Sequence, residues 1–164
     1  MPSSDAVTAL RAEERGIITQ IASMIVEQAK SLSSWSKNIS NAFDISPVTE
    51  LPDGMMITIG NSAPEALAFE RGSGIHGPTG EKYDIVPKTK QALAFLGTNG
   101  YRGSASGLLG RLIVTPIVHH PGVAARPFMH PANEAVRPMA MEMLKQALGD
   151  AVRLTIREAW NKNG

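Results

Sequence analysis

The sequence predicts an α+β fold: a long N-terminal helix, a small, mainly antiparallel sheet with long loops, and a C-terminal helix. The two ends of the chain show apolar residues at helical spacing, whereas the middle shows short apolar runs separated by proline- and glycine-rich turns. No internal repeat or hydrophilic linker divides the chain, so we expect a single domain over residues 1–164. Within it we expect the N-terminal helix at 1–34, the sheet and loops at 35–120, and the C-terminal helix at 131–161.

The N-terminal helix is indicated by an apolar stripe that follows a capping residue, Ser4 or Asp5. The stripe consists of Val7, Leu10, Ile17, Ile21, Met24, Ile25 and Leu32. On so small a chain, a stripe of this length packs either on the chain's own sheet or on a neighbouring molecule. Its central residues are therefore a candidate subunit interface: Ile17, Ile21, Met24 and Ile25.

Strands are predicted between the helices, where the apolar period shortens and turn residues follow. Two antiparallel strands, within 35–48 and 55–61, are joined by a Pro-Asp-Gly turn that ends at Gly54. A short helix is predicted within 63–72, and a further strand around 83–87.

The most strand-like segment is 111–120, which is rich in β-branched residues. Pro116 inside it cannot donate a hydrogen bond to a sheet, which indicates an edge strand or a bulge. Because an edge can pair with another chain, Leu112 and Val114 are further interface candidates. The segment 90–97 is compatible with a strand or with a short helix.

The C-terminal helix is predicted to present an apolar face made of Ala135, Met139, Met143, Leu144, Leu148, Val152, Ile156 and Trp160. Pro138 lies inside this pattern, so we expect a kink or a break between two helices there.

Two glycine-rich segments, 72–82 and 98–110, are predicted to be mobile loops. The first contains Gly-Ser-Gly-Ile-His-Gly, which matches the glycine pattern of a dinucleotide-binding loop. That pattern requires a strand before it and a helix after it, and here it follows a helix. The second segment lacks the lysine that completes a phosphate-binding loop. We therefore expect no cofactor.

The composition excludes several classes of site. The chain has no cysteine, and so it has neither disulfides nor thiolate metal ligands. Its net charge is +1; residues 101–164, with eight basic and four acidic side chains, carry +4, far less than a nucleic-acid-binding regulator concentrates on one face. The most apolar stretch is interrupted by polar residues and is too short to span a bilayer, so no membrane association is expected.

Three of the four histidines lie between the last strand and the C-terminal helix, at His119, His120 and His130. A zinc site would use them together with His76 or an acid. However, neighbouring residues on a strand point to opposite faces, so His119 and His120 cannot easily share one ion. No helix-borne ligand spacing or nucleophile motif accompanies them. We expect no metal ligand, no catalytic residue and no enzymatic activity.

The same window is explained better as a connector that turns a strand into a helix. Pro121 holds the residue before it extended, and Gly122 permits a positive φ. Pro127 keeps the next stretch extended, Phe128 is a candidate core anchor, and Pro131 fits the first turn of the helix.

In this connector the chain resembles the small tail-completion, or head–tail joining, family of long-tailed bacteriophages. The resemblance rests on the order of three motifs: A-F-E-R-G-S at 68–73, I-V-P-K at 85–88, and H-P-G at 120–122 followed by P-F-M-x-P-A at 127–132. Within these motifs the structural residues are Glu70, Gly72, Pro87, His120, Pro121, Gly122, Pro127, Phe128 and Pro131. The match spans roughly 35–145, and it departs from the family's usual residues at Val123 and His130.

The resemblance implies a structural protein of the virion neck, assembled in the host cytoplasm. Such a protein forms a homo-oligomeric ring, with a hexamer expected, that completes the tail and joins it to the DNA-filled head. Its implied partners are head-closure or adaptor neck proteins and tail terminator or tail tube proteins. Phage DNA passes through the ring without sequence-specific binding.

Two other functions stay open. A tail terminator, which caps the tail tube, has a similar size and a similar α+β character. From a different class, a small histidine-dependent metalloprotein or hydrolase would use the histidines of the connector.

Overall fold

A computed structural model describes residues 4–97 and 111–163 and confirms the α+β class. The helices are α1 (Ser4–Leu32), α2 (Lys37–Ser40), α3 (Ala66–Arg71) and α4 (Met129–Asn163), with a 3-10 turn at Gly74–His76. The strands are β1 (Phe43–Ile45), β2 (Thr49–Leu51), β3 (Gly54–Met56), β4 (Ile59–Asn61), β5 (Tyr83–Ile85), β6 (Leu93–Gly97), β7 (Arg111–Thr115) and β8 (Val118–His120). None of the helices within these described ranges is long and apolar enough to cross a membrane.

All strand pairs in the described ranges are antiparallel, and they form four separate two-stranded sheets. β1 pairs with β4 and encloses the β2–β3 hairpin, whose turn lies at Pro52 and Asp53 as predicted. β5 pairs with β8, and β6 pairs with β7. The segment 90–97, for which the sequence left two possibilities, therefore contains a strand.

The chain divides into two compact units. One, which we call the helical unit, consists of Met1–Glu70 and Pro127–Gly164. The other, which we call the strand unit, consists of Arg71–Arg126. The expectation of one domain over 1–164 stays a prediction.

The core of the helical unit forms where α1 and α4 pack along each other. Its buried residues are Ala29, Ile39, Ala66, Phe128 and Ala132. Near the other end of this pair, Leu10 of α1 lines a small cavity together with Ala151 of α4. Because Ala29 packs near Ala132 while Leu10 lies near Ala151, the two helices run antiparallel.

The seam between α1 and α4 consists mainly of small side chains. On α1 it contains the buried residues Ala22, Val26 and Ala29, and on α4 it contains Ala132, Val136, Ala140, Met143, Ala147 and Ala151, which are buried or half-buried. Small residues allow two helix backbones to approach closely.

The apolar residues predicted along α4 are mostly not buried in the described structure: seven of the eight are exposed, and only Met143 is half-buried. The exposed members are Ala135, Met139, Leu144, Leu148, Val152, Ile156 and Trp160. Of the kink or break predicted at Pro138, the break is wrong, because α4 continues through this residue, and the kink stays a prediction.

Two strand predictions need correction. The segment 35–48 starts with α2 rather than with a strand, because the Ser36 hydroxyl caps a helical turn by accepting the Ile39 N–H at 3.4 Å. The segment 111–120 is two strands rather than one. Pro116 separates β7 from β8, and the Thr115 hydroxyl bridges the gap by donating to the Ile117 carbonyl at 2.7 Å.

Candidate assembly site

The histidines of the connector lie on opposite faces of the β5–β8 sheet, as expected. His119 is opposite Asp84 and pairs with its carboxylate through Nδ1. His120 is opposite Tyr83, and the two ring centroids are 5.1 Å apart. Each ring therefore has a partner of its own, and the two rings do not converge on one point.

The structure brings the histidines into no metal site. Across 4–97 and 111–163, no group of three or more histidine or acidic side chains is arranged so that it could hold a metal ion. His76 is exposed at the end of the 3-10 turn, and His130 is exposed in the first turn of α4.

The H-P-G turn is held by the glycine-rich segment that follows α3. The Ser73 N–H donates to the Val123 carbonyl at 2.9 Å, and the Val123 N–H donates to the Ser73 hydroxyl at 3.1 Å. The Ile75 N–H donates to the Pro121 carbonyl at 2.8 Å. Ser73 and Ile75 in the segment predicted to be a mobile loop are thus hydrogen-bonded to the turn, and the second such segment, 98–110, lies outside the described residues.

Two glycines make this contact possible, because both have a positive φ and each touches backbone. Gly122 has a φ of +92°, and a Cβ there would lie 1.8 Å from the Ser73 carbonyl oxygen. Gly74 has a φ of +60°, and a Cβ there would lie 2.2 Å from the Pro121 carbonyl oxygen. Any larger residue at either position would push the two segments apart.

His120 has a structural task in the turn. Its Nδ1 accepts the N–H of Gly122 at 2.9 Å, which satisfies a backbone donor at the point where the chain reverses. The ring is half-buried against Tyr83. Pro121 is exposed beside it, and Gly72 is buried at the start of the glycine-rich segment.

Within the helical unit, the carboxylate of Glu70 caps the start of α4. Oε2 accepts the N–H groups of Phe128 and Met129 at 2.8 and 3.0 Å, and Oε1 accepts that of His130 at 2.9 Å. Pro131 has no N–H, and the next donor, Ala132, bonds to the Phe128 carbonyl at 3.2 Å. All the N–H groups that a helix start leaves without partners are therefore satisfied.

The Glu70 cap has an electrostatic consequence. Partial burial raises the pKa of the carboxyl group, but the three backbone hydrogen bonds and the nearby His130 lower it, and the net pKa lies below the ordinary value of 4.5. The carboxylate is thus held ionised at the positive end of the α4 dipole.

Phe128 is the core anchor that the sequence predicts. It is 1% exposed, and its ring meets Phe43 edge to face with the centroids 5.8 Å apart. Pro127 is exposed before it, and Pro131 is half-buried in the first turn of α4. Pro87, from the remaining motif, is half-buried after β5 in the strand unit.

The interface candidates fall into two groups. Ile17, Ile21, Met24 and Ile25 of α1 are half-buried, and Ile25 packs against the core, so much of this stripe is covered within the chain. Leu112 and Val114 of β7 are each 62% exposed.

The sequence placed a run of large apolar residues along α4 but did not indicate that this side of the helix is exposed. We define this α4 face by Leu144, Leu148, Val152, Ile156 and Trp160, of which Leu148 is 67% and Trp160 is 79% exposed. These five residues recur at every fourth position, which is close to the period of a helix. The buried side of α4 is the alanine seam, which has little hydrophobic contrast and therefore gave no signal in the sequence.

Comparisons with family models, with curated proteins and with solved structures gave no match for this chain.

Proposed function

We propose that this protein is a structural component of the neck of a long-tailed bacteriophage, where it forms a ring that completes the tail and joins it to the head. The ring is homo-oligomeric, with six copies expected, and it acts by assembly rather than by catalysis. Its partners are head-closure or adaptor proteins on one side and tail terminator or tail tube proteins on the other. The DNA passes through the ring without sequence-specific contacts.

The observation that carries the proposal is the exposure of large apolar side chains on regular elements. The α4 face and the pair Leu112 and Val114 belong to a helix and a strand, and in neither case does the described part of the chain bury them. Large apolar side chains that recur along an exposed element are typical of protein–protein interfaces in soluble proteins. It supports an assembly subunit more than an enzyme built around a pocket.

The order of the sequence motifs is the reason for proposing a neck protein rather than another kind of assembly subunit. Two of the three motif segments that resemble the tail-completion family take part in backbone contacts: A-F-E-R-G-S supplies Glu70 and Ser73, and the connector supplies their partners. A resemblance that consists of mutually dependent residues supports family membership better than one of unrelated positions.

The proposal is tested by a nonsense mutation in the gene, placed in the phage that carries it. Electron microscopy of the lysate should show DNA-filled heads and separate tails of normal length, with no joined particles. Tails of uncontrolled length would instead indicate a tail terminator. Normal infectious particles would contradict a neck function of either kind.

A further inference from the structure

The two compact units carry net charges of opposite sign. The strand unit contains seven basic and two acidic residues, a net charge of +5, and the helical unit contains nine basic and thirteen acidic residues, a net charge of −4. The two charges nearly cancel in the whole chain, which carries only +1. Two copies that met through the same unit would place like charges together, whereas contact between different units would place opposite charges together.

The strand unit carries exposed apolar residues on β7 and two exposed lysines that precede β6 in the sequence. Leu112 and Val114 point to the same side of β7, because residues two apart on a strand share a face. Val114 is paired with Ala94 of β6, which is also exposed. Lys88 and Lys90 lie just before β6 in the sequence, and both are exposed. An isolated two-stranded sheet is only marginally stable in water, so such a face gains from being covered.

The helical unit presents a surface of matching character between α1 and α4. A cavity of about 50 Å³ is lined by Leu10, Glu13, Glu14, Ala147, Leu148 and Ala151. One of its lining residues, Leu148, also belongs to the exposed α4 face, and its two glutamates on α1 are exposed. The cavity is far smaller than the roughly 300–1,000 Å³ typical of small-molecule sites, and it suits the end of an aliphatic side chain.

We propose that the β6–β7 face of one copy docks on this α1–α4 surface of the next copy, with Leu112 and Val114 against Leu148 and with Lys88 and Lys90 near Glu13 and Glu14. The contact is head-to-tail, since two different surfaces meet, and head-to-tail contacts close into rings when their rotation allows it. This inference rests on the proposed ring, because it names the two surfaces that form its interface.

The first test measures self-association of the full-length protein by sedimentation velocity. Leu112→Ser combined with Val114→Ser should lower the association constant about tenfold or more, because apolar area then stays in water. The matched control is Leu67→Ser, which changes a 64% exposed leucine on α3 and should leave association unchanged. Equal association constants for the wild type and the Leu112/Val114 variant would overturn the proposal.

A set of charge reversals tests the proposed pairing of the two lysines of one copy with the two glutamates of the next. Lys88→Glu with Lys90→Glu, and separately Glu13→Lys with Glu14→Lys, should each weaken association at low salt. Combining all four changes restores opposite charges and should recover most of the loss. A fourfold variant that associates no better than the weaker double variant would overturn the proposed pairing.

Disulfide cross-linking between introduced cysteines gives a third test. The chain has no cysteine of its own that could form a competing disulfide. Cross-linking also captures transient contacts. A mixture of Val114→Cys and Leu148→Cys proteins under mild oxidation should give a cross-linked dimer, whereas Val114→Cys with Leu67→Cys should give far less. Equal yields would contradict the interface. Failure of these tests on a wild type that does assemble would leave the neck function standing, whereas infectious particles made without the protein would refute that function.

Discussion

At the scale of single residues, Glu70 connects two segments that lie far apart in the sequence. Its carboxylate accepts the N–H of His130 across a separation of 60 residues, and those of Phe128 and Met129 beside it. The sequence identifies Glu70 only as part of a motif. Its role as a helix cap could not be predicted, because a capping residue is normally sought next to the helix it caps.

Removal of this cap should destabilise the protein. We expect Glu70→Ala to lower the free energy of unfolding by about 1–2 kcal/mol, the cost of losing a good helix cap, as measured by urea denaturation. The control is Glu134→Ala, which removes an exposed glutamate whose ion pair with Arg137 spans 3.9 Å. That change should stay within about 0.5 kcal/mol. Equal effects of the two substitutions would show that the cap contributes nothing.

The Glu70 cap also predicts a pH dependence. Because folding lowers the pKa of this carboxyl group below 4.5, its contribution is complete above that value and is lost as the pH falls through the lower folded-state pKa. The stability difference between wild type and Glu70→Gln should therefore be largest near neutral pH and should shrink below about pH 4. Urea denaturation of both proteins at several pH values measures this difference in unfolding free energy. A difference that increases as the pH falls would contradict the predicted direction.

The turn at Gly122 should tolerate no side chain. We expect Gly122→Val to unfold the protein or to lower its stability by well over about 2 kcal/mol, because strain at positive φ adds to a clash with Ser73. His120→Ala should be milder, since it removes a hydrogen bond and a ring contact without a clash. Gly16→Ala is the control: nothing lies near that position of α1, and it should be neutral or slightly stabilising. Thermal denaturation measures these effects. Equal melting temperatures for Gly122→Val and Gly16→Ala would refute this account of the turn.

At the scale of elements, the two long helices and the short α3 could be predicted, but α2 and the packing face of α4 could not. Hydrophobic periodicity gives most weight to large side chains, and here leucine, isoleucine and tryptophan lie outside while alanines lie in the seam. Close helix packing favours small residues, so the weaker signal marked the buried face. Similarly, the β-branched run at 111–120 predicted one strand, whereas the missing N–H of Pro116 divides it between two sheets.

The seam predicts how α4 responds to larger side chains. Ala132→Leu should destabilise the protein by about 1–3 kcal/mol, since Ala132 is fully buried against α1 and the core. Ala135→Leu, one turn away on the exposed side of the same helix, should cost little because helix propensity barely changes. Urea denaturation compares the two. A larger loss for Ala135→Leu would mean that the seam is wrongly assigned.

At the scale of the whole molecule, the separation of charge follows the bounds of the two units, which no linker marks in the sequence. Residues 1–70 carry four basic and nine acidic side chains and residues 71–126 carry seven and two, whereas windows with other bounds mix the two groups. Only the fold shows which residues belong together. The near-zero total charge, which argued against a nucleic-acid-binding regulator, conceals two units of opposite charge.

The central claim, that the protein joins heads to tails, is tested most directly by complementation in vitro. Extract from cells infected with the nonsense mutant is mixed with the purified wild-type protein, and infectious particles are counted as plaques. We predict that the protein alone restores plaque formation and that the Leu112→Ser, Val114→Ser variant restores far less, while Leu67→Ser matches wild type. An extract that gives as many plaques without the protein as with it would contradict the claim.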